Sequence, residues 1–262
     1  ESALLVEHNR YPLRWQELNH ETARGIAGND YAIFSRSGWL GSQGTTQIVW
    51  IGDQEADFLP GDGLPTVVPA LLNLGLSGVP FATHDIAGYS GGPSTMELFM
   101  RWTELGAFTS VMRTHEGLNA AANWSWNGGP TATPEQATET IAHFRRFARI
   151  HMALVPTFEA LAEEAASTSM PVLRHMILEF PDDPAVVGLS DQFMLGSDLL
   201  VAPVVTEGAV EREVYFPAGQ WHHALRAGEM VQGPGTFTVS APLGEPPVFS
   251  RGAERSDLRA ID

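Results

Sequence analysis

The chain has 262 residues, 44% of them hydrophobic, and carries a formal net charge of −16 from 31 acidic and 15 basic side chains. That much apolar material excludes a disordered chain and is enough for one barrel or two ordinary domains. The negative balance excludes a nucleic-acid surface, which needs a positive field, and the absence of Cys removes disulfides, thiolate metal sites and a cysteine nucleophile.

The chain opens on Glu1-Ser2-Ala3, with no Met and no signal-peptide pattern, and no segment of membrane-spanning length is free of charges and turn signals. It therefore reads as a processed protein, a domain or a fragment, with no membrane partner and a cytoplasmic location expected. Residues 11–24 place Leu13, Trp15, Leu18 and Ala23 at helical spacing, and the helix is expected to begin near Tyr11-Pro12. Tyr31-Ala32-Ile33-Phe34 reads as a short buried strand ending at Arg36, and a glycine-rich loop over 38–44 follows. The next strand spans 46–50 and leads to Asp53. A helix is expected over 67–76, with Gly78 as its stop signal. The third strand, 79–82, leads to Asp85. A helix over 96–105 carries Glu97 and Arg101 at i, i+4 spacing, and the fourth strand, 108–112, leads to Arg113 and His115. Thr133-Pro134-Glu135-Gln136 is a helix start, with a Thr N-cap, Pro at N1 and Gln at N3. The long helix it opens is expected to bury Ile141, Phe144, Ala148 and His151 and to kink or stop at Pro156.

After about residue 171 the pattern changes to short strand-like runs: 193–195, 199–201, 213–216, 236–239 and 248–249. Pro217-Ala218-Gly219 and Gly233-Pro234-Gly235 are expected to be turns between them. The fold class is α/β: four β/α units, which are the second half of an eight-stranded parallel barrel, over 1–172, then a C-terminal β-sandwich over 173–262. The other barrel half is expected upstream of Glu1 or on another chain, because an open half barrel leaves two sheet edges unpaired.

The strand ends carry the chemistry. Asp53 lies close to Trp50, and an indole beside a carboxyl lowers local polarity, which suits a general acid; a loop Asp capping the next helix fits the same position. Asp85 ends an apolar strand, where it can bind turn amides or substrate. His84 is its neighbour, but adjacent strand residues point to opposite faces, which argues against a His–Asp dyad. His115, Glu116 and Asp85 match no compact metal-ligand spacing, so no metal is assigned. His115 can instead donate to substrate hydroxyls. Trp50, Trp124 and Trp126 lie near these loops, where indoles stack on sugar rings or pack the barrel.

Together, Trp50-Ile51-Gly52-Asp53, His84-Asp85-Ile86-Ala87-Gly88-Tyr89, Glu97…Arg101-Trp102 and Arg113-Thr114-His115 resemble glycoside hydrolase family 31. His8-Asn9-Arg10-Tyr11-Pro12 resembles the family segment after its fourth strand, and residues 195–204 resemble the entry to its proximal C-terminal sandwich. Gln54, Tyr89 and the run Met112 to Gly117 make the chain most similar to the sulfoquinovosidase branch; α-glucosidases usually carry Asn and Phe at the first two positions. The resemblance implies a retaining α-glycosidase with no cofactor, acting on a small glycoside such as sulfoquinovosyl glycerol. It implies Asp53 as acid/base, Arg36, Trp50, Gln54, Asp85 and His115 as sugar-binding residues, and Tyr89 as a sulfonate-binding residue. The family's nucleophile segment precedes the one resembled by His8-Asn9, so the chain alone is expected to be inactive. An α-glucosidase or α-xylosidase of the same family, and a non-hydrolytic sugar-binding or assembly subunit, are the alternatives.

Overall fold

The computed structural model describes residues 3–261, with side chains described from Glu7 onward. The first helix, α1, runs from Ala3 to Ala27, well before the expected start, and carries Pro12 inside it. A proline there removes one N–H and does not end the helix. Among the side chains described from Glu7 onward, the apolar ones are not core: Trp15 and Leu18 are more than half exposed, and the buried residue is Gln16, whose amide donates to the Ser37 carbonyl at 2.7 Å.

Two strands follow, β1 (Phe34–Ser35) and β2 (Ile48–Trp50), then helix α2 (Val67–Leu76) and strand β3 (Ala82–Thr83). They form a three-stranded parallel sheet in the order β1-β2-β3, with Ser35 opposite Val49 and Trp50 opposite Thr83. Helix α2 ends where Gly78 takes a left-handed conformation, as the sequence implies. Helix α3 (Met96–Gly106) is capped by Thr95, whose hydroxyl accepts from the Leu98 amide.

The expected fourth strand over 108–112 does not form. Phe108 and Thr109 instead complete the turn after α3 and are fully buried there. The fourth strand end survives as a single parallel bridge between Ile86 and Thr114. The hydroxyls of Ser110 and Thr83 replace the missing ladder, bonding the carbonyls of Ala82 and Val111. The expected Glu97–Arg101 pair is also absent. Glu97 accepts the amide of Gly208, and Arg101 pairs with Glu104 at 3.0 Å, both nearly inaccessible to water.

Helix α4 (Pro134–Ala153) starts with the reciprocal Thr133–Gln136 capping box, and the chain breaks at Leu154 before α5 (Val155–Thr168), with Pro156 in its first turn. The buried face of α4 is Thr140, His143, Phe147 and Ile150, one step round from the expected face. His143 donates to the Met100 carbonyl of α3 at 3.0 Å, which sets that rotation.

The C-terminal part comprises β4 (Leu173–Arg174), a one-turn helix α6 (Met176–Glu179), β5 (Phe193–Leu195), β6 (Leu199–Val201), β7 (Glu211–His223), β8 (Met230–Ser240), β9 (Val248–Arg251) and a final turn α7 (Ser256–Arg259). The strands hydrogen-bond in the order β4-β5-β6-β9-β7-β8, all antiparallel. The two expected turns are not turns. Pro217-Ala218-Gly219 is an irregularity inside β7, and Gly233 and Gly235 face it from β8, so the two strands form one long ribbon. After the irregularity, residues 221–223 of β7 pair with β9. Before it, β7 leaves β9 and lies across the sheet, where Gln192 bonds both backbone groups of Tyr215. That folding makes the sandwich. Met194 and Leu200 face Phe216, Trp221 and Phe249 in its core. The opposite faces of the same strands, with Phe193, Leu195, Leu199 and Val201, join the helices of the barrel part in one continuous core.

Candidate active site

Three consecutive strand ends and the surviving bridge bring the sequence-predicted residues to one end of the parallel sheet. Arg36 follows β1 directly, and its guanidinium Nη1 lies 3.2 Å from Oδ2 of Asp53, three residues beyond β2. The same guanidinium stands 5.2 Å over the Trp50 ring. Asp53 is about one-third exposed, so its surroundings are not the apolar pocket expected from Trp50. The indole serves the other carboxylate instead: its N–H faces Asp85.

Asp85 is fully buried. Burial pushes its pKa above the ordinary value; Arg113 and His115 oppose that rise, Asp53 adds to it and the Trp50 N–H opposes it. Its ion-pair partner is Arg113, with Nη2 3.1 Å from Oδ1, and neither carboxylate oxygen completes a hydrogen bond of good geometry. Arg113 was legible only as the residue at a strand end; its pairing with Asp85 could not be read from spacing. His84 turns the other way and accepts from the Trp102 indole at 2.9 Å, so the two neighbours do not form a dyad.

Two loops lock Asp53 to Tyr89. The Gln54 carbonyl accepts from the amides of both Tyr89 and Ser90, the Ser90 hydroxyl donates to the Asp53 carbonyl at 2.7 Å, and Glu55 bridges Ser90 in parallel. Gly88 makes this approach possible: its φ is 80°, and a β-carbon there would lie 2.9 Å from the Ala56 backbone. Ala87 before it also has a positive φ, of 72°, an uncommon conformation for a residue with a side chain. The Gln54 side chain turns inward, with its amide on the Ile51 carbonyl and its oxygen buried without a partner.

The Tyr89 ring meets Trp50 edge-on at 6.2 Å and His115 at 5.0 Å. His115 is exposed, and its Nδ1 accepts from the Gly117 amide, which leaves Nε2 as the atom that can face a ligand. Gly117 is required beneath, because a β-carbon there would lie 2.5 Å from the Tyr89 carbonyl oxygen. Trp124 and Trp126 do not join this wall. Trp124 is core and donates to Thr140, while Trp126 lies against the outer face of α4. Among the described residues no three His, Asp or Glu side chains gather as a metal site. An open cavity of about 530 Å³ touches the site only at Arg36. It lies between α2 and the loop after β1, where a single 3-10 turn, Ser42–Gly44, replaces the helix usual between barrel strands.

This arrangement is one half of the strand-end face of a β/α barrel. The chain belongs to glycoside hydrolase family 31: residues 5–161 match the family's TIM-barrel domain and residues 169–254 its C-terminal domain. It is 40% identical over 261 residues to a sulfoquinovosidase of Agrobacterium fabrum and 38% identical over 251 residues to one of Escherichia coli, covering 97% and 94% of this chain. It spans 38% and 35% of the length of those two relatives. An α-xylosidase of Saccharolobus solfataricus is 30% identical over 247 residues, covering 93% of this chain and 32% of that protein. Among solved structures, a family 31 sulfoquinovosidase from E. rectale in complex with an aza-sugar inhibitor superposes with a TM-score of 0.89 at 32% identity, covering 98% of this chain and 38% of that one. No helix among the described residues is long and apolar enough to cross a membrane.

Proposed function

We propose that this chain is the acid/base half of a retaining α-glycosidase acting on sulfoquinovosides. The observation that carries the reading is the loop pairing that ties Asp53 to Tyr89, with the Tyr89 ring set between Trp50 and His115. The identities of 40% and 38% to sulfoquinovosidases support the same branch. Asp53 protonates the leaving oxygen while a carboxylate attacks the anomeric carbon; Asp53 then acts as base on water in the second step. We place that second carboxylate in the upstream barrel half, since this chain spans only 38% of the Agrobacterium relative. Arg36, Trp50, Gln54, Asp85 and His115 form the sugar subsite, Gln54 through the loop it organises. No cofactor enters the scheme. We set the boundary of the catalytic half at 172/173, where the Val172 amide still bonds the barrel residue Pro80 and Leu173 already pairs with Leu195.

Residues 1–262 alone are expected to give no turnover of aryl α-sulfoquinovosides or aryl α-glucosides, and robust turnover would overturn the two-half scheme. In the enzyme completed by its upstream half, Tyr89 decides specificity. A phenol hydroxyl bonded to a sulfonate contributes about 1.5–3 kcal/mol, so Tyr89→Phe lowers kcat/KM on a sulfoquinovoside roughly ten- to a hundredfold. A glucoside presents a neutral hydroxyl there and loses much less. Equal losses on both substrates would favour an α-glucosidase or α-xylosidase. Binding without turnover in the completed enzyme would favour a sugar-binding subunit.

A further inference from the structure

We propose that Arg113 is a positioning residue that holds the buried Asp85 carboxylate, fixed and ionised, at the strand end behind the sugar subsite. The inference deepens the reading of Asp85 as part of the sugar subsite and rests on it.

Three observations converge on Arg113. First, Asp85 is fully buried and both its oxygens lack a well-formed hydrogen bond, while the Arg113 Nη2 lies 3.1 Å from Oδ1. A buried carboxylate without donors is costly unless paired, and Arg113 is the cation that pairs it. Second, Arg113 is itself held in a slot. Its guanidinium stands 5.0 Å over the Phe34 ring of β1 and 5.8 Å from the Trp50 ring of β2, with Nη1 buried and unpartnered. Third, the Arg113 carbonyl accepts from the Ile86 amide at 3.1 Å. One residue therefore grips two consecutive positions, Asp85 with its side chain and Ile86 with its backbone. This happens where the fourth strand contributes a single bridge, of which that backbone bond is a part, so the side-chain grip adds to the hydroxyl bonds of Ser110 and Thr83.

The charge balance around Asp85 is short. Burial opposes ionisation, Arg113 and His115 favour it, Asp53 opposes it, and the Trp50 N–H favours it; His84 is turned away toward Trp102. Arg113 is the first of the favourable influences. A guanidinium keeps its charge at every accessible pH, so its support does not titrate away.

The direct test reads the carboxyl itself. Infrared difference spectra between the 262-residue chain and its Asp85→Asn variant, taken across pH, report the protonation midpoint of Asp85. Arg113→Met is expected to raise that midpoint by about one pH unit or more, a tenfold or greater rise in proton affinity, the range an adjacent Arg commonly accounts for. Arg113→Lys is expected to recover more than half of the rise. If Arg113→Met shows no cooperative unfolding transition, Arg113→Gln, neutral but still a donor, is read the same way. An unmoved midpoint in the neutral variant, or no recovery with Lys, overturns the proposal. In the completed enzyme, the acidic limb of kcat/KM should move up in pH by the same amount. If the completed wild-type enzyme cleaves no glycoside, the functional reading fails, and the infrared midpoint still judges Arg113.

Discussion

Asp53→Asn in the enzyme completed by its upstream half should lower kcat/KM on an alkyl sulfoquinovoside by about 10²- to 10⁴-fold, the range of general acid–base catalysis. An aryl substrate with an activated leaving group should lose far less in the first step, because its departing oxygen needs little protonation. Azide should then accelerate the second step, since it attacks the glycosyl–enzyme without help from a base, and the product should keep its configuration. An absence of azide rescue, or an inverted product, would remove Asp53 from the acid/base role. The geometry explains why a neutral amide is a clean probe. Among the described residues the Asp53 side chain has Arg36 alone within ion-pair distance, and its loop is held through its backbone carbonyl by Ser90 rather than through the carboxylate. The loop that carries Tyr89 should therefore stay in place when the charge is lost.

The sequence made the local elements readable where one residue type determines the backbone. Gly78 stops α2 because its left-handed conformation suits glycine, and Thr133 with Gln136 starts α4 because the two side chains satisfy free amides. It misled where the outcome depended on distant partners. Phe108 has strand propensity, yet it is fully buried in the turn after α3 rather than in the sheet. Glu97 and Arg101 have the spacing of a helix pair, yet each reaches instead to the sandwich loops around Gly208, Ala209 and Ala241. The glycines and prolines at 217–219 and 233–235 look like turn residues, yet they face each other as an irregularity in one ribbon. For the candidate site, position at strand ends was enough to place Arg36, Asp53, Asp85 and His115 at one end of the sheet. It could not show that Trp50 faces Asp85 or that Arg113 is the ion-pair partner of Asp85, because both are side-chain geometry across strands.

The seam between the two parts is built from two buried arginines and a half-buried one, which bears on how the chain responds to acid. Arg101 donates to the carbonyls of Ala209 and Ala241, Arg146 to that of Gly244, and Arg174 pairs with Glu164 and Glu179. Glu104 completes this network by accepting from the Gly244 amide, and burial raises its pKa to about 7 against the pull of Arg101. Such pairs fix geometry more than they add stability, since desolvation offsets much of the attraction.

Stability of the chain is expected to fall steeply as pH drops from 6.5 to 4.5, and three deeply buried histidines lead the decline, with His151 and His175, also lowered by burial, adding to it. His84 and His223 are held down at about 3 and His143 at about 4, in each case chiefly by burial. All three are fixed as neutral rings: His84 accepts from the Trp102 indole, His223 accepts from the amides of Leu225 and Arg226, and His143 donates to the Met100 carbonyl. Their folded pKa values lie below the unfolded value near 6.5, so the unfolded chain binds more protons. Their contribution is therefore complete above pH 6.5 and is lost as pH falls toward 3–4. Glu104 works the other way: its stabilising contribution is complete below about 4.5 and is lost as pH rises through 7. Asp85, also raised, acts in the same direction as Glu104. Three protons from these rings thus favour unfolding and one to two oppose it, a slope of about 1.4–2.7 kcal/mol per pH unit before His151 and His175 add to it. Over two units that is roughly 3–5 kcal/mol, a large part of the 5–15 kcal/mol typical of a folded protein. Urea midpoints at pH 7.0 and at half-unit steps down to 4.5 should show the decline. His143→Gln keeps a donor for the Met100 carbonyl and removes one titrating ring, so it should flatten the slope by about 1.4 kcal/mol per pH unit. A urea midpoint that holds level down to pH 4.5, or a His143→Gln slope equal to that of the parent, would mean that these rings do not control acid stability.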